Sequence, residues 1–212
     1  MNIAERENKI AERLIEADAV RLFAEQPFQW TSGWLSPVYC DNRRLLSFPD
    51  IRREIVNAFC ELIPSGTDVI AGVSTAGIAW AAWIAEKLNL PMVYVRSEAK
   101  VHGLGKQVEG ILLPEQRVVV IEDLISTGKS SGQVVSALKR QDAQVVKLLS
   151  IFNYGFFQAE ERFAVVGVPF TSLTNLKALT HVLITRNLVK PDMWAVLDEW
   201  RAAPDRWGKA DS

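Results

Sequence analysis

The run Val118-Val119-Val120-Ile121-Glu122-Asp123-Leu124-Ile125-Ser126-Thr127-Gly128-Lys129-Ser130-Ser131 constrains this chain more than any other stretch. An apolar segment stops at two adjacent acids. Hydroxyls and a glycine follow, and a helical pattern then begins. That order puts carboxylates at the end of a buried strand and backbone N–H groups at the start of a helix. Carboxylates suit a sugar hydroxyl or a metal ion, and amides with hydroxyls suit a phosphate, so a phosphorylated sugar satisfies both halves. Gly128-Lys129-Ser130 has the ending of a P-loop, but a P-loop needs a glycine five positions before Gly128. Asp123 stands there, and two acids repel a triphosphate, which excludes a nucleotide triphosphatase. A helix cap needs one acid rather than two, so the pair reads as functional.

Strand and helix signals alternate around this run. Strands are expected at Asp68–Gly72, Pro91–Arg96, Arg117–Ile121 and Gln144–Phe152, with helices at Ala76–Leu88 and Gly128–Arg140. Continuous apolar strands joined by helices give an α/β fold, with a mostly parallel central sheet flanked by helices and right-handed crossovers. Ligands of such sheets sit at the carboxyl ends of the strands. The loops after Gly72, Arg96 and Ile121 share that edge and are candidates for one site.

Upstream, residues Ile3 to Glu25 read as one amphipathic helix, carried by Ile10, Leu14, Ala17 and Val20/Arg21. Phe28 to Asp41 reads as a hairpin of short strands. Pro49 opens a helix that runs to about Leu62 and breaks at Pro64-Ser65-Gly66. Downstream, Val165–Val168 reads as a further strand, and Asn175–Arg186 and Asp192–Trp200 as helices separated near Pro191. The last residues are expected to fray.

With a net charge of −1 the chain shows no basic excess, so no nucleic-acid partner is expected. Its two cysteines, Cys40 and Cys60, make neither a disulfide framework nor a metal site. They read as small hydrophobes in a reducing compartment. The charged Met1–Glu7 segment is no secretory signal and no apolar run is long enough to span a bilayer, so a cytoplasmic location with no membrane contact is expected.

Within the site, amides from Ser126 to Ser130 can converge on a terminal phosphate, with hydroxyls of Ser126, Thr127 and Ser130 as further donors. Glu122 and Asp123 can hold two vicinal ribose hydroxyls, directly or through Mg²⁺, which prefers oxygen ligands and keeps several waters. Ser74-Thr75-Ala76-Gly77 follows a strand and opens a helix. Alone it is equally a cap with a close-packed glycine; on the shared edge it favours pyrophosphate contact through amides. Lys100 and His102 lie in a glycine-flanked segment without an apolar period, between Ser97 and Glu115. Such a loop is either a solvated surface or a lid. A flexible cation and a titratable ring suit a departing pyrophosphate.

Four segments together carry a resemblance. Residues 122–131 resemble the phosphoribosyl-pyrophosphate signature of the type I phosphoribosyltransferases. Thr31-Ser32-Gly33-Trp34-Leu35-Ser36-Pro37-Val38-Tyr39-Cys40-Asp41-Asn42-Arg43, Ile70 to Ile78, and Arg96-Ser97-Glu98-Ala99-Lys100-Val101-His102-Gly103 resemble three segments of the orotate phosphoribosyltransferases: the N-terminal segment, the pyrophosphate loop and the mobile catalytic loop. The resemblance implies transfer of a phosphoribosyl group to orotate, giving orotidine 5′-monophosphate and pyrophosphate in pyrimidine synthesis, with Mg²⁺. It implies catalytic roles for Lys100, His102 and Asp123. Phosphoribosyl pyrophosphate would be bound by Arg96, Lys100, His102, Glu122, Asp123, Leu124, Ile125, Ser126, Thr127, Gly128, Lys129 and Ser130, and by Ser74, Thr75, Ala76 and Gly77. It implies that Ser126 touches orotate, and that the loop reaches into the neighbouring active site of a homodimer. The chain then divides into an N-terminal helix and hood (1–45), an α/β core (46–170) and a C-terminal helical segment packing on core or hood (171–212).

Three positions depart from the family pattern. Leu35 stands for a lysine, Ser97 for a second basic residue, and Asn153-Tyr154 where some members carry an orotate-binding arginine. Arg43, Arg44 or backbone amides are left to hold the orotate carboxylate. Two other functions stay open: transfer to a purine or other base, and a non-catalytic sensor of phosphoribosyl pyrophosphate.

Overall fold

The structure, a computed structural model, describes residues 1–22, 26–30, 33–96, 107–190 and 192–208. In chain order the elements are α1 (Ile3–Glu16), β1 (Val20–Leu22), β2 (Phe28–Gln29), β3 (Leu35–Ser36), β4 (Val38–Cys40), a 3-10 turn (Asn42–Ser47), α2 (Pro49–Cys60), β5 (Val69–Val73), α3 (Gly77–Leu88), β6 (Met92–Val95), β7 (Val108–Glu109), β8 (Arg117–Ile125), α4 (Lys129–Lys139), β9 (Gln144–Asn153), α5 (Phe157–Val166), β10 (Phe170–Asn175), α6 (Leu176–Thr185) and α7 (Met193–Ala202). Six strands form one sheet in the order β10-β9-β8-β5-β6-β7. All neighbours are parallel except β7, which runs antiparallel to β6.

The apolar strands are continuous because both faces are covered. Along β8, Val119 and Ile121 pack into one core with Ile55 and Phe59 of α2 and Trp80 of α3. Val118 and Val120 enter the opposite core with Val134 and Leu138 of α4 and Phe163 of α5. Strand alternation thus divides one apolar run between two helical layers.

The N-terminal helix is shorter than its periodicity suggests. It starts with a capping box, in which Asn2 accepts from Glu5 N at 2.9 Å and Glu5 accepts from Asn2 N at 3.0 Å. It buries Ile10, Ala11 and Leu14 and stops at Glu16. Asp18 takes a left-handed conformation (φ 51°), and Ala19 N returns to Leu14 O. Val20 therefore begins a strand rather than another helical turn. The hairpin between Phe28 and Asp41 splits: β2 pairs with β3, whereas β4 pairs with β1. Val165–Val168 is not a strand, since Val165 and Val166 end α5 and Gly167 caps it at φ 64°. The strand of that region is β10 instead. The expected strand at Arg117–Ile121 continues through both acids to Ile125, held by pairing of Glu122 with Ser150 and Leu124 with Phe152. Among the described residues no helix is long and apolar enough to cross a membrane.

Candidate active site

The sheet order makes β8, β5 and β6 neighbours, so the segments that leave Ile125, Val73 and Val95 meet at one edge. After β8 the chain turns through Gly128 at φ 69°, where an added Cβ would lie 3.0 Å from the Phe163 ring. Glycine supplies that turn without steric cost. Arg162 Nη1 donates to Thr127 O at 3.0 Å and fixes the loop from outside. The result is a cup of about 320 Å³ lined by Glu122, Leu124, Ile125, Ser126, Thr127, Gly128, Lys129, Ser130, Ser131 and Gln133. It combines a helix N-terminus, hydroxyls and a lysine, the donor set of an anion site.

The two acids differ in surroundings. Glu122 is buried, and its carboxylate accepts from Ser131 Oγ at 2.9 Å and from Asp123 N at 3.1 Å. Burial first, and then the Asp123 charge, push it well above the usual carboxylate range. Burial also raises Asp123, opposed by hydrogen bonds from Glu122 and from backbone N–H groups and by the charge of Arg43. Arg43 is itself tied to Asp41 at 2.6 Å.

A second cavity, about 350 Å³, is lined by Gln29, Trp30, Tyr39, Cys40, Leu124, Ser126 and Tyr154. Its walls are aromatic: Trp30 and Tyr154 lie 4.9 Å apart at their ring centroids. Leu124 and Ser126 line both cavities, so an anion cup and an aromatic cleft adjoin across one short strand end.

Ser74–Gly77 stands at the same edge. Ser74 N donates to Val95 O at 2.9 Å, and Ser74 Oγ is buried with no hydrogen-bond partner among the described residues. A Cβ on Gly77 would lie 2.4 Å from Ile121 O, so only glycine lets α3 approach β8 this closely. Arg96 pairs through its N–H with Gln107 O at 3.0 Å, and its guanidinium lies 3.7 Å from Glu109. Ser97, Lys100 and His102 lie outside the described residues.

Of the departures from the family pattern, Leu35 (through its backbone carbonyl) and Asn153-Tyr154 make hydrogen bonds in the fold. Leu35 O accepts from Trp200 Nε1 at 2.9 Å. Asn153 donates to Ser172 Oγ at 2.9 Å. The buried Tyr154 hydroxyl accepts from Cys40 N at 3.2 Å. Arg44 is turned to Ala17 O and Asp18, which leaves Arg43 as the arginine of the pair whose charge reaches Asp123. Sequence alone assigns no contact in the site to Gln29, Tyr154 or Asn42, although Asn42 lies in the N-terminal segment and Tyr154 at a position that departs from the family pattern. Each comes to the site through the packing of distant segments, which no local pattern marks.

Among the described residues no group of three or more His, Cys, Asp or Glu could cage a metal. Asp123, with Glu122 already engaged by Ser131, fits a cation that arrives on substrate oxygens and keeps its waters.

A profile for the phosphoribosyl transferase domain matches residues 45–176. The orotate phosphoribosyltransferase of Listeria monocytogenes serovar 1/2a is 46% identical over 206 residues, covering 96% of this chain and 99% of that one. Among solved structures, Leishmania donovani UMP synthase superposes with a TM-score of 0.78 at 28% identity, over 92% of this chain and 42% of that longer one. The orotate phosphoribosyltransferase of Aeropyrum pernix superposes at 0.73 with 32% identity, over 85% and 99% of the two chains.

Proposed function

The chain belongs to the phosphoribosyltransferase family, among the orotate phosphoribosyltransferases, and from that premise we propose that it transfers the phosphoribosyl group of phosphoribosyl pyrophosphate to orotate. A ring nitrogen of orotate loses its proton to water or to the departing pyrophosphate and bonds to the anomeric carbon as the bond from that carbon to pyrophosphate breaks. The products are orotidine 5′-monophosphate and pyrophosphate. The observation that carries this reading is the adjoining pair of cavities that share Leu124 and Ser126. One is built for the 5′-phosphate and the other for a flat ring, and the sugar lies between them.

No protein nucleophile is required, so the side chains act by placement and charge. Amides and hydroxyls of Ser126 to Ser130 hold the 5′-phosphate. Glu122, in the wall of the cup and held by Ser131, and Asp123 beside it offer carboxylates to the ribose hydroxyls. Ser74–Gly77 offers amides to the pyrophosphate. Arg96, together with Lys100 and His102 from the loop of a partner subunit, neutralises the departing charge. Ser126 and the aromatic walls receive the base. Mg²⁺, when bound with the substrate, screens the pyrophosphate and ribose oxygens. Two free cysteines suit a reducing, cytoplasmic setting.

The test mixes the pure protein with phosphoribosyl pyrophosphate, Mg²⁺ and orotate and follows the loss of orotate absorbance. Turnover is expected only with all three present, and Lys100→Ala should lower it by orders of magnitude while the fold survives. A protein that consumes adenine or hypoxanthine but leaves orotate untouched sinks the assignment.

A further inference from the structure

We propose that Asn42 is a positioning residue for this reaction, whose buried amide ties the base cleft to the acid-bearing end of β8 and so sets the distance between the ring nitrogen and the anomeric carbon. The inference rests on the functional reading above and adds to it a residue outside the substrate contacts.

Asn42 is 1% exposed. Its Nδ2 donates to Asp123 O at 2.7 Å, a contact that spans 81 residues of sequence. Its Oδ1 accepts from Cys40 Sγ at 3.2 Å. Cys40 N in turn donates to Tyr154 Oη at 3.2 Å. Burial pushes the Cys40 thiol far up, so the sulfur keeps its proton and remains a donor. Only one orientation of the Asn42 amide satisfies both neighbours: oxygen toward the thiol, nitrogen toward the carbonyl.

The local sequence explains why this side chain points inward. Asp41 accepts from Arg43 N at 3.3 Å and opens the 3-10 turn that begins at Asn42. The preceding strand carries Tyr39 and Cys40 into the wall of the base cleft. On the other side, β5 accompanies β8 only as far as Ile121. Past that point the Asp123 carbonyl takes its hydrogen bond from Asn42, and a buried carbonyl left without a donor is costly. One amide therefore joins the wall that receives the base to the backbone of the acid that faces the sugar. Tyr154, the residue after β9, closes the same bridge.

Reaction rates depend steeply on such distances, and a misplacement of about 1 Å can cost on the order of 100-fold. A tie that only supported the fold would change stability and nothing else. The test compares wild type with Asn42→Ala for kcat, for KM of orotate and for affinity toward phosphoribosyl pyrophosphate with Mg²⁺ and no base, the last by calorimetry. Expected are a kcat lower by about tenfold or more, a raised KM for orotate, and sugar-pyrophosphate affinity within about threefold of wild type. Wild-type kcat and KM alongside a lowered Tm overturn the proposal. Should Asn42→Ala fail to fold, Tyr154→Phe decides. It keeps the ring in the cleft and removes only the hydroxyl that receives Cys40 N. A reduced kcat with intact sugar-pyrophosphate affinity supports the bridge, and unchanged kinetics overturn it. A wild type inert toward orotate overturns the functional reading and this proposal with it, whereas an active wild type with unaltered variants overturns this proposal alone.

Discussion

Glu122 and Asp123 are adjacent, and their carboxyl groups share a hydrogen bond. Glu122 also accepts from Ser131 in α4, whereas the Asp123 backbone carbonyl accepts from Asn42 and its carboxylate feels the charge of Arg43. The consequence for Glu122 is a testable pH dependence. Burial and the Asp123 charge raise its folded pKa above the ordinary 4.5, so between these values the folded protein holds a proton that the unfolded chain has released. Stability from this group is therefore complete below about pH 4.5 and declines as pH rises toward the folded value. Glu122→Gln keeps the shape and cannot ionise, so it lacks that decline. Urea unfolding from pH 4 upward, without substrate, should show the variant gaining on wild type as pH rises. A stability difference that stays flat with pH would mean that Glu122 ionises in the fold as it does in water.

Gly77 illustrates what an element junction demands. A Cβ there would collide with the Ile121 carbonyl, which is backbone and cannot swing aside. Gly77→Ala should push α3 off β8, cost roughly 1–3 kcal/mol in urea unfolding and raise KM for phosphoribosyl pyrophosphate. At Gly132 an added Cβ meets only the flexible Arg162 side chain, and alanine favours helix, so Gly132→Ala should be close to neutral. Equal costs at the two glycines would show that the α3–β8 approach is not tight. The core elements were readable because buried parallel strands are unbroken apolar runs between clear turn signals. The helical period overruns the end of α1 because Ala17 and Val20/Arg21 keep it across Asp18, whose left-handed backbone leaves no mark in that period. Val165–Val168 looked like a strand, yet Val165 is 87% exposed on the last turn of α5. The acids were expected to end β8, but pairing with β9 outweighs their poor strand propensity. The anion cup could be read from one contiguous segment. The base cleft could not, because its walls come from residues 29–30, 39–40, 124, 126 and 154.

At the scale of the whole molecule, α7 packs behind two walls of the aromatic cleft. Trp200 of α7 is fully buried and packs edge-on against Trp30 at 5.6 Å, Tyr154 at 5.4 Å and Phe156 at 5.1 Å. Its indole N–H reaches Leu35 O on β3. One side chain near the end of the sequence thereby clamps the β2–β3 hairpin onto the segment that follows β9. Trp30 and Tyr154 are cleft walls, so the clamp and the proposed base site share these two side chains. Removing the indole should act on both stability and recognition. Trp200→Ala is expected to cost about 3–5 kcal/mol and to raise KM for orotate, with affinity for phosphoribosyl pyrophosphate little changed because the cup is built from β8 and α4. Trp200→Phe retains a ring and loses the N–H. It leaves Leu35 O without this donor, at about 1–3 kcal/mol, and should show the smaller orotate effect. Urea unfolding and steady-state kinetics on the same preparations separate the two contributions. If Trp200→Ala loses stability but binds orotate as wild type does, the C-terminal helix is a brace for the fold and takes no part in shaping the cleft.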